Sequence, residues 1–331
     1  MSQVSENRIT LALPRTLSLV SEPLQRVEQM LNVQLQSEVP IIDEMVRHGA
    51  VTGGKRFRPM LMLLTAQAYG DISEHHIMLA TSVEMVHAAS LVHDDIIDNA
   101  TTRRHVATIN SRWGNQGAVL FGDYLFTRAF YLSSLTGCVD ACRILGDATN
   151  TVCEGELQQN DVAGNFDTTI DEYLDVISRK TAALCGCATR LGAWFSSRND
   201  RESERWRRAG HNFGLAFQIV DDVLDYRGDA NQCGKTLGTD LQTAKPTLPV
   251  LIGLQSLDDS ARAEWIDALA RHSASRSEVC DWLQSSGACQ QSMDMAIALV
   301  EEALTLVAQQ KNDAVAAAFA ELGQFLLGRN H

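Results

Sequence analysis

Apolar residues recur along this chain at spacings of three and four, as in Met85, Ala88, Ala89 and Val92, or Leu299, Ala303 and Leu306. That is the period of a helix with a buried stripe, and no run alternates apolar and polar residues as a half-buried strand does. The pattern predicts helices over 17–36, 40–49, 57–70, 75–99, 115–136, 139–162, 170–196, 201–228, 242–256, 259–271, 275–286, 289–312 and 313–328. The breaks hold glycine and polar residues: Gly53-Gly54, the 100–114 loop, Gly164-Asn165, and Gly228 to Gly238. Proline points the same way. The chain has 6, at positions 14, 23, 40, 59, 246 and 249, and none in the 186 residues from 60 to 245. Proline breaks helix interiors and is common in turns and at sheet edges, so a turn-rich β protein does not fit this gap. The expectation is an all-α fold, with 1–331 as a single domain.

Composition adds limits. At 331 residues, 45% hydrophobic and 21% charged, the chain can bury a large core and is neither disordered nor collagen-like. A net charge of −13 disfavours general nucleic-acid binding, so no nucleic-acid partner is expected. No stretch reaches the roughly 18 apolar residues of a membrane span. The segment ITLALPRTLSLV is interrupted by Pro14 and Arg15 and lacks a basic start, so no signal peptide and a cytoplasmic location are expected. The 8 cysteines form no CxxC, which fits buried reduced thiols better than a zinc site.

The acid is concentrated in two places. Asp94, Asp95 and Asp98 form one DDxxD, and Asp221, Asp222 and Asp225 form another, 127 positions later. On a helix, residues i and i+4 stack about 6 Å apart, where like charges are unfavourable. Apolar residues before and between the acids argue against a merely solvated face. A hard cation resolves the conflict: carboxylate oxygens suit Mg²⁺, which keeps several waters and bridges to substrate phosphates. Two such clusters facing each other across a helical cavity would clamp a polyphosphate through metal.

Basic residues answer them. Lys55, Arg56 and Arg58 open a helix after a glycine turn, and helix N-termini with nearby cations bind anions. Arg103 and Arg104 follow the first acid cluster, and Lys180-Thr181 sit in a mostly apolar helix. His87 lies two helical turns before Asp94 on the same face. Gly234-Lys235-Thr236 looks like the end of a P-loop, but the earlier glycine of that motif falls on Asp229 and no strand precedes it.

Taken together, GGKRFRP, EMVHAASLVHDDIID with RR, GDYLFTRAF, EGELQQ, KTAAL, FQIVDDVLDY, GKTLGTD and KPTLP resemble the trans-isoprenyl diphosphate synthases, most of all the long-chain bacterial enzymes of the octaprenyl type. The resemblance runs in order from about residue 50 to 250, and the C-terminal third matches only as helical filler. It implies a single-domain helical bundle around a deep central cavity, usually as a homodimer. It also implies head-to-tail condensation of isopentenyl diphosphate with an allylic diphosphate, with three Mg²⁺ ions once substrate is bound.

By the same resemblance Asp94, Asp98 and Asp221 would hold Mg²⁺, supported by Asp95, Asp222 and Asp225. Arg103, Lys180, Thr181, Gln218 and Lys235 would line the allylic site, and Lys55, Arg58, His87 and Arg104 would bind isopentenyl diphosphate. His105, Asn99 and Thr243-Ala244 depart from the family pattern. Near the acid cluster Met85, Ala89 and Ser90 leave room for a long tail, with a floor expected around Tyr131, Leu132 and Leu145. This favours a product of about eight isoprene units over farnesyl or geranylgeranyl diphosphate. The alternatives are a terpene cyclase, which normally lacks the second DDxxD, and a non-catalytic subunit of a heteromeric synthase, which usually loses its acid clusters.

Overall fold

A computed structural model describes residues 13–48, 54–103, 106–227 and 245–328. Helices dominate, as the spacing predicts: α1 (Pro14–Leu35), α2 (Pro40–Arg47), α3 (Phe57–Gln67), α4 (Glu74–Ile97), α5 (Ile109–Ser134), α6 (Val139–Asp161), α7 (Ile170–Ile177), α8 (Ala183–Ser197) and α9 (Asp200–Arg227). After Lys245 come α10 (Leu248–Gln255), α11 (Asp259–Ala270), α12 (Arg276–Ser285), α13 (Ala288–Ala308) and α14 (Asp313–Leu327). Three details differ from the periodicity. The helix expected over 242–256 starts only at Leu248, with 245–247 outside it, because the residue before Pro246 is kept out of a helix. The expected 100–114 loop contains a two-residue antiparallel pair, β1 (Thr102–Arg103) with β2 (Val106–Ala107), and α5 starts early, broken at Gly114 with φ 77°. The expected helix over 170–196 is interrupted by a π-helical turn at Ser178–Ala182.

The chain groups into two compact units. Among the described residues one comprises those within 13–149, 184–210 and 304–322, the other those within 150–183, 211–303 and 323–328. In the first unit α4 packs against α1, α3 and α5. From Ile77 to Val92 it is buried nearly all round, as a helix apolar on every face must be. Its start is fixed by a buried histidine: the Ser73 N–H donates to His76 Nδ1 at 3.0 Å. Trp206 is fully buried in the same unit, 5.4 Å from the Phe319 ring between centroids. Its indole N–H donates to the Tyr69 hydroxyl at 3.0 Å, so the polar atom of this large apolar side chain is satisfied. In the second unit α10 is buried from Leu248 to Leu254 and packs against α7, α11 and α12, where Trp265 and Trp282 stack 4.2 Å apart.

Candidate active site

The first acid cluster closes α4. Asp94 and Asp98 are half-buried, whereas Asp95 is turned inward. Asp95 Oδ1 accepts from Arg103 Nε at 2.8 Å and pairs with Nη2 at 2.8 Å. Burial raises the Asp95 pKa above its ordinary value, and the Arg103 charge opposes that rise. The helix ends in a Schellman arrangement: Asn99 takes φ 50°, its N–H reaches the Ile96 carbonyl, and the Ala100 N–H reaches the Asp95 carbonyl at 2.9 Å. This accounts for the unusual Asn99, because asparagine tolerates the left-handed conformation that the stop requires. Asn110 Nδ2 donates to the Asp95 and Ala100 carbonyls, pinning the following loop to the cluster. Arg103, expected in the allylic site, is therefore held by an acid of the cluster itself.

The other expected diphosphate ligands of this unit sit at the start of α3 and on α4. Lys55 is exposed, Arg58 and His87 are half-buried, and Arg56 is buried. Arg104 and His105 lie outside the described residues, as do Lys235, Thr243 and Ala244. Met85 and Ala89 are fully buried, while Ser90 is half-buried and donates to the His87 carbonyl. Leu132 and Leu145 are buried, but Tyr131 is 53% exposed, so within this chain it does not form an interior floor.

In the second unit α9 carries the other cluster. Asp221 is half-buried, and Asp222 and Asp225 are buried. Asp222 is fixed from two sides, by the Tyr173 hydroxyl at 2.7 Å and by Gln218 Nε2 at 2.8 Å. Gln218 Oε1 in turn accepts from the Thr181 hydroxyl at 2.9 Å. One polar chain thus runs from the π-turn through Gln218 to the acid. The turn is gripped from α6 as well: Lys180 Nζ lies 2.5 Å from Glu156 Oε2, and Arg179 pairs with Glu154 at 2.9 Å. Between those two acids stands Gly155, where a Cβ would lie only 2.4 Å from the Lys180 backbone nitrogen.

A cleft of about 120 Å³ opens beside this array, lined among others by Lys180, Thr181, Gln218, Asp222 and Lys245. Lys245 was not among the expected ligands. Its only sequence signal is its place in KPTLP, where Pro246 keeps the residue before it out of a helix. Nor is the C-terminal third only filler. Arg276 of α12 donates to the Asp225 carbonyl at 3.2 Å and Cys280 to the Tyr226 carbonyl at 3.1 Å, satisfying groups at the open end of α9.

Among the described residues no three His, Cys, Asp or Glu side chains converge as a preformed metal site. The donor chemistry nevertheless fits Mg²⁺, which is commonly held by one or two carboxylates, substrate phosphates and water. Asp94, Asp98 and Asp221 offer such oxygens on half-buried positions. None of the seven described cysteines is in a disulfide, and no helix among the described residues is long and apolar enough to cross a membrane.

The sequence profile of the polyprenyl synthetase family matches residues 39–285. The octaprenyl diphosphate synthase of Haemophilus influenzae is 39% identical over 233 residues, 70% of this chain and 71% of that one. The geranyl-diphosphate-specific all-trans-nonaprenyl-diphosphate synthase of Rhodobacter capsulatus is 38% identical over 277 residues, covering 82% and 84%. A crystal structure of polyprenyl synthase from Caulobacter crescentus, complexed with calcium and isoprenyl diphosphate, superposes with a TM-score of 0.89 at 33% identity, covering 96% of this chain and 98% of that one. The chain belongs to the polyprenyl synthetase family, the trans-isoprenyl diphosphate synthases, and has their predominantly helical fold. It is a prenyltransferase of the class that builds polyprenyl diphosphates by head-to-tail condensation, similar to the bacterial octaprenyl and nonaprenyl enzymes.

Proposed function

We propose that this enzyme condenses isopentenyl diphosphate with an allylic diphosphate, in a Mg²⁺-dependent reaction, to a long all-trans polyprenyl diphosphate of about eight isoprene units. The observation that carries the reading is the polar chain Thr181–Gln218–Asp222–Tyr173 beside a cleft that also has Lys180 and Lys245 on its wall. Two ammonium groups suit a diphosphate, and an acid locked by two donors suits a rigid platform for metal.

Asp94, Asp98 and Asp221 would hold Mg²⁺, with Asp95, Asp222 and Asp225 supporting them. Bound there, Mg²⁺ supplies positive charge that neutralises the departing diphosphate. Lys180 and Lys245 add fixed cations where charge develops as the allylic C–O bond breaks. The Thr181 hydroxyl and Gln218 amide orient the leaving group, and Lys55, Arg58 and His87 hold isopentenyl diphosphate in place, which removes an entropic barrier. Apolar walls exclude water from the allylic cation, and the proton lost in each cycle leaves on the released diphosphate. Met85 and Ala89 are unbranched or small, which supports a long tail. Leu120 and Tyr131 on α5 and Leu135 at its C-cap are exposed, at 62%, 53% and 49%, which supports a homodimer. A cytoplasmic location completes the reading.

The test is turnover of labelled isopentenyl diphosphate with an allylic primer, with and without Mg²⁺, and chromatography of the products. Asp94→Ala and Asp221→Ala are expected to abolish condensation and leave the fold intact. Near-normal turnover by either variant defeats the metal assignment, and products of fifteen or twenty carbons defeat the chain length.

A further inference from the structure

We propose that Arg56 is a positioning residue: with Glu28 and Glu84 it forms a three-charge tie around a buried guanidinium that holds the 54–58 turn in the shape in which Lys55 and Arg58 receive the diphosphate of isopentenyl diphosphate. The inference rests on the function proposed above and deepens it.

The backbone supplies the first reason. Arg56 caps α3 with φ 48° and ψ 38°, a left-handed conformation in a residue that is not glycine. Such a conformation is strained for a residue with a Cβ and persists only where the surroundings over-determine it. The side chain does this. Arg56 is only 9% exposed. Its Nε and Nη2 donate to the two carboxylate oxygens of Glu28 on α1, the second at 3.0 Å, and its Nη1 donates to Glu84 Oε1 on α4 at 2.8 Å. Burial opposes the guanidinium charge, yet the two carboxylates together hold it above its ordinary range.

The second reason is what the tie joins. Glu84 lies one helical turn before His87, and Arg56 stands between Lys55 and Arg58. Three of the four expected ligands of isopentenyl diphosphate, Lys55, Arg58 and His87, are thereby referred to one fixed point in the first unit. Of the basic residues in KRFR, the middle one is spent inward. Lys55 remains exposed, and Arg58 keeps a buried Nε with no hydrogen-bond partner among the described residues. An orphaned donor of a half-buried arginine calls for an acceptor, and a diphosphate oxygen supplies one.

The third reason is energetic. A buried ion group is weak as a source of stability, since apolar residues of like volume often serve as well. What the tie provides is a single geometry for a strained turn, and geometry is what anion capture needs.

The test compares Arg56→Met, Arg56→Lys and Glu84→Gln with the wild type, varying each substrate in turn. Arg56→Met is expected to raise KM for isopentenyl diphosphate about tenfold or more, leaving kcat and the allylic KM within about twofold. Arg56→Lys should not rescue it, because one ammonium cannot satisfy both carboxylates as a planar fork does. If Arg56→Met does not fold, Glu84→Gln, isosteric and still able to accept from Nη1, should raise the same KM about threefold. A fall in kcat with KM unchanged, equal losses for both substrates, or full rescue by lysine overturns the proposal. Titration with inorganic diphosphate gives a second readout that needs no turnover. A wild type that binds diphosphate more tightly than Arg56→Met, but does not condense isopentenyl diphosphate, sinks the proposed reaction and keeps the tie.

Discussion

Gly155→Ala adds one methyl group to α6 and should damage the enzyme out of proportion to its size. The new Cβ would lie 2.4 Å from the Lys180 nitrogen, 2.7 Å from the Arg179 Cβ and 2.9 Å from the Arg179 carbonyl carbon. Two of these are backbone atoms and cannot swing aside. A comfortable contact needs about 3.5 Å, so α6 and the π-turn must separate by roughly 1 Å. Overpacking of this kind costs about 1–3 kcal/mol, and the better helix propensity of alanine returns about 1 kcal/mol. The net loss of stability is therefore at most about 2 kcal/mol, read as a fall of a few degrees in Tm.

The effect on turnover should be larger. Lys180 and Thr181 both ride on the turn, and a misplacement of about 1 Å at a charge-stabilising group costs on the order of 100-fold. The assay is steady-state condensation beside thermal unfolding, with Gly146→Ala on the same helix as control. There the added Cβ meets only Phe130 Cε1, at 4.0 Å, so that variant should be as active as wild type and as stable or slightly more so. Wild-type turnover in Gly155→Ala, or an equal loss in Gly146→Ala, would refute the reasoning.

Acid stability should depend on His76. Burial pushes this histidine down to about 4, against a hydrogen bond to the Gly192 backbone. The unfolded chain therefore binds a proton that the folded one does not, and the contribution is fully present above about pH 6.5 and lost as pH falls toward 4. The gap corresponds to roughly 3 kcal/mol, and denaturant melts of His76→Gln should show a flatter acid limb than the wild type. Lys55→Ala is expected mainly to raise KM for isopentenyl diphosphate and Lys180→Ala mainly to lower kcat; the reverse split in initial-rate kinetics would exchange the two sites. Ala89→Tyr should shorten the product, and chromatography showing an unchanged chain length would remove Ala89 from the tail's path.

Much of this protein is legible along the chain because its signals are local. The helical period, the proline gap and the i, i+4 spacing of Asp94 with Asp98 and of Asp221 with Asp225 involve neighbours within one or two turns, which a linear text preserves. The motif order from GGKRFRP to KPTLP names the family for the same reason. What only the tertiary structure decided is which member of each motif does which task. Arg56 and Arg58 look equivalent in KRFR, yet Glu28 and Glu84, from two other helices, draw Arg56 inside. Asp95 and Asp222 each stand beside a more open aspartate, and it is Arg103, Tyr173 and Gln218 that set them apart. The break at Ser178–Ala182 carries no proline or glycine; α6 presses on the turn at Gly155, and Glu156 and Gln218 hold its side chains. These outcomes depend on partners far apart in sequence, and burial, charge pairing and close approach exist only once those partners meet.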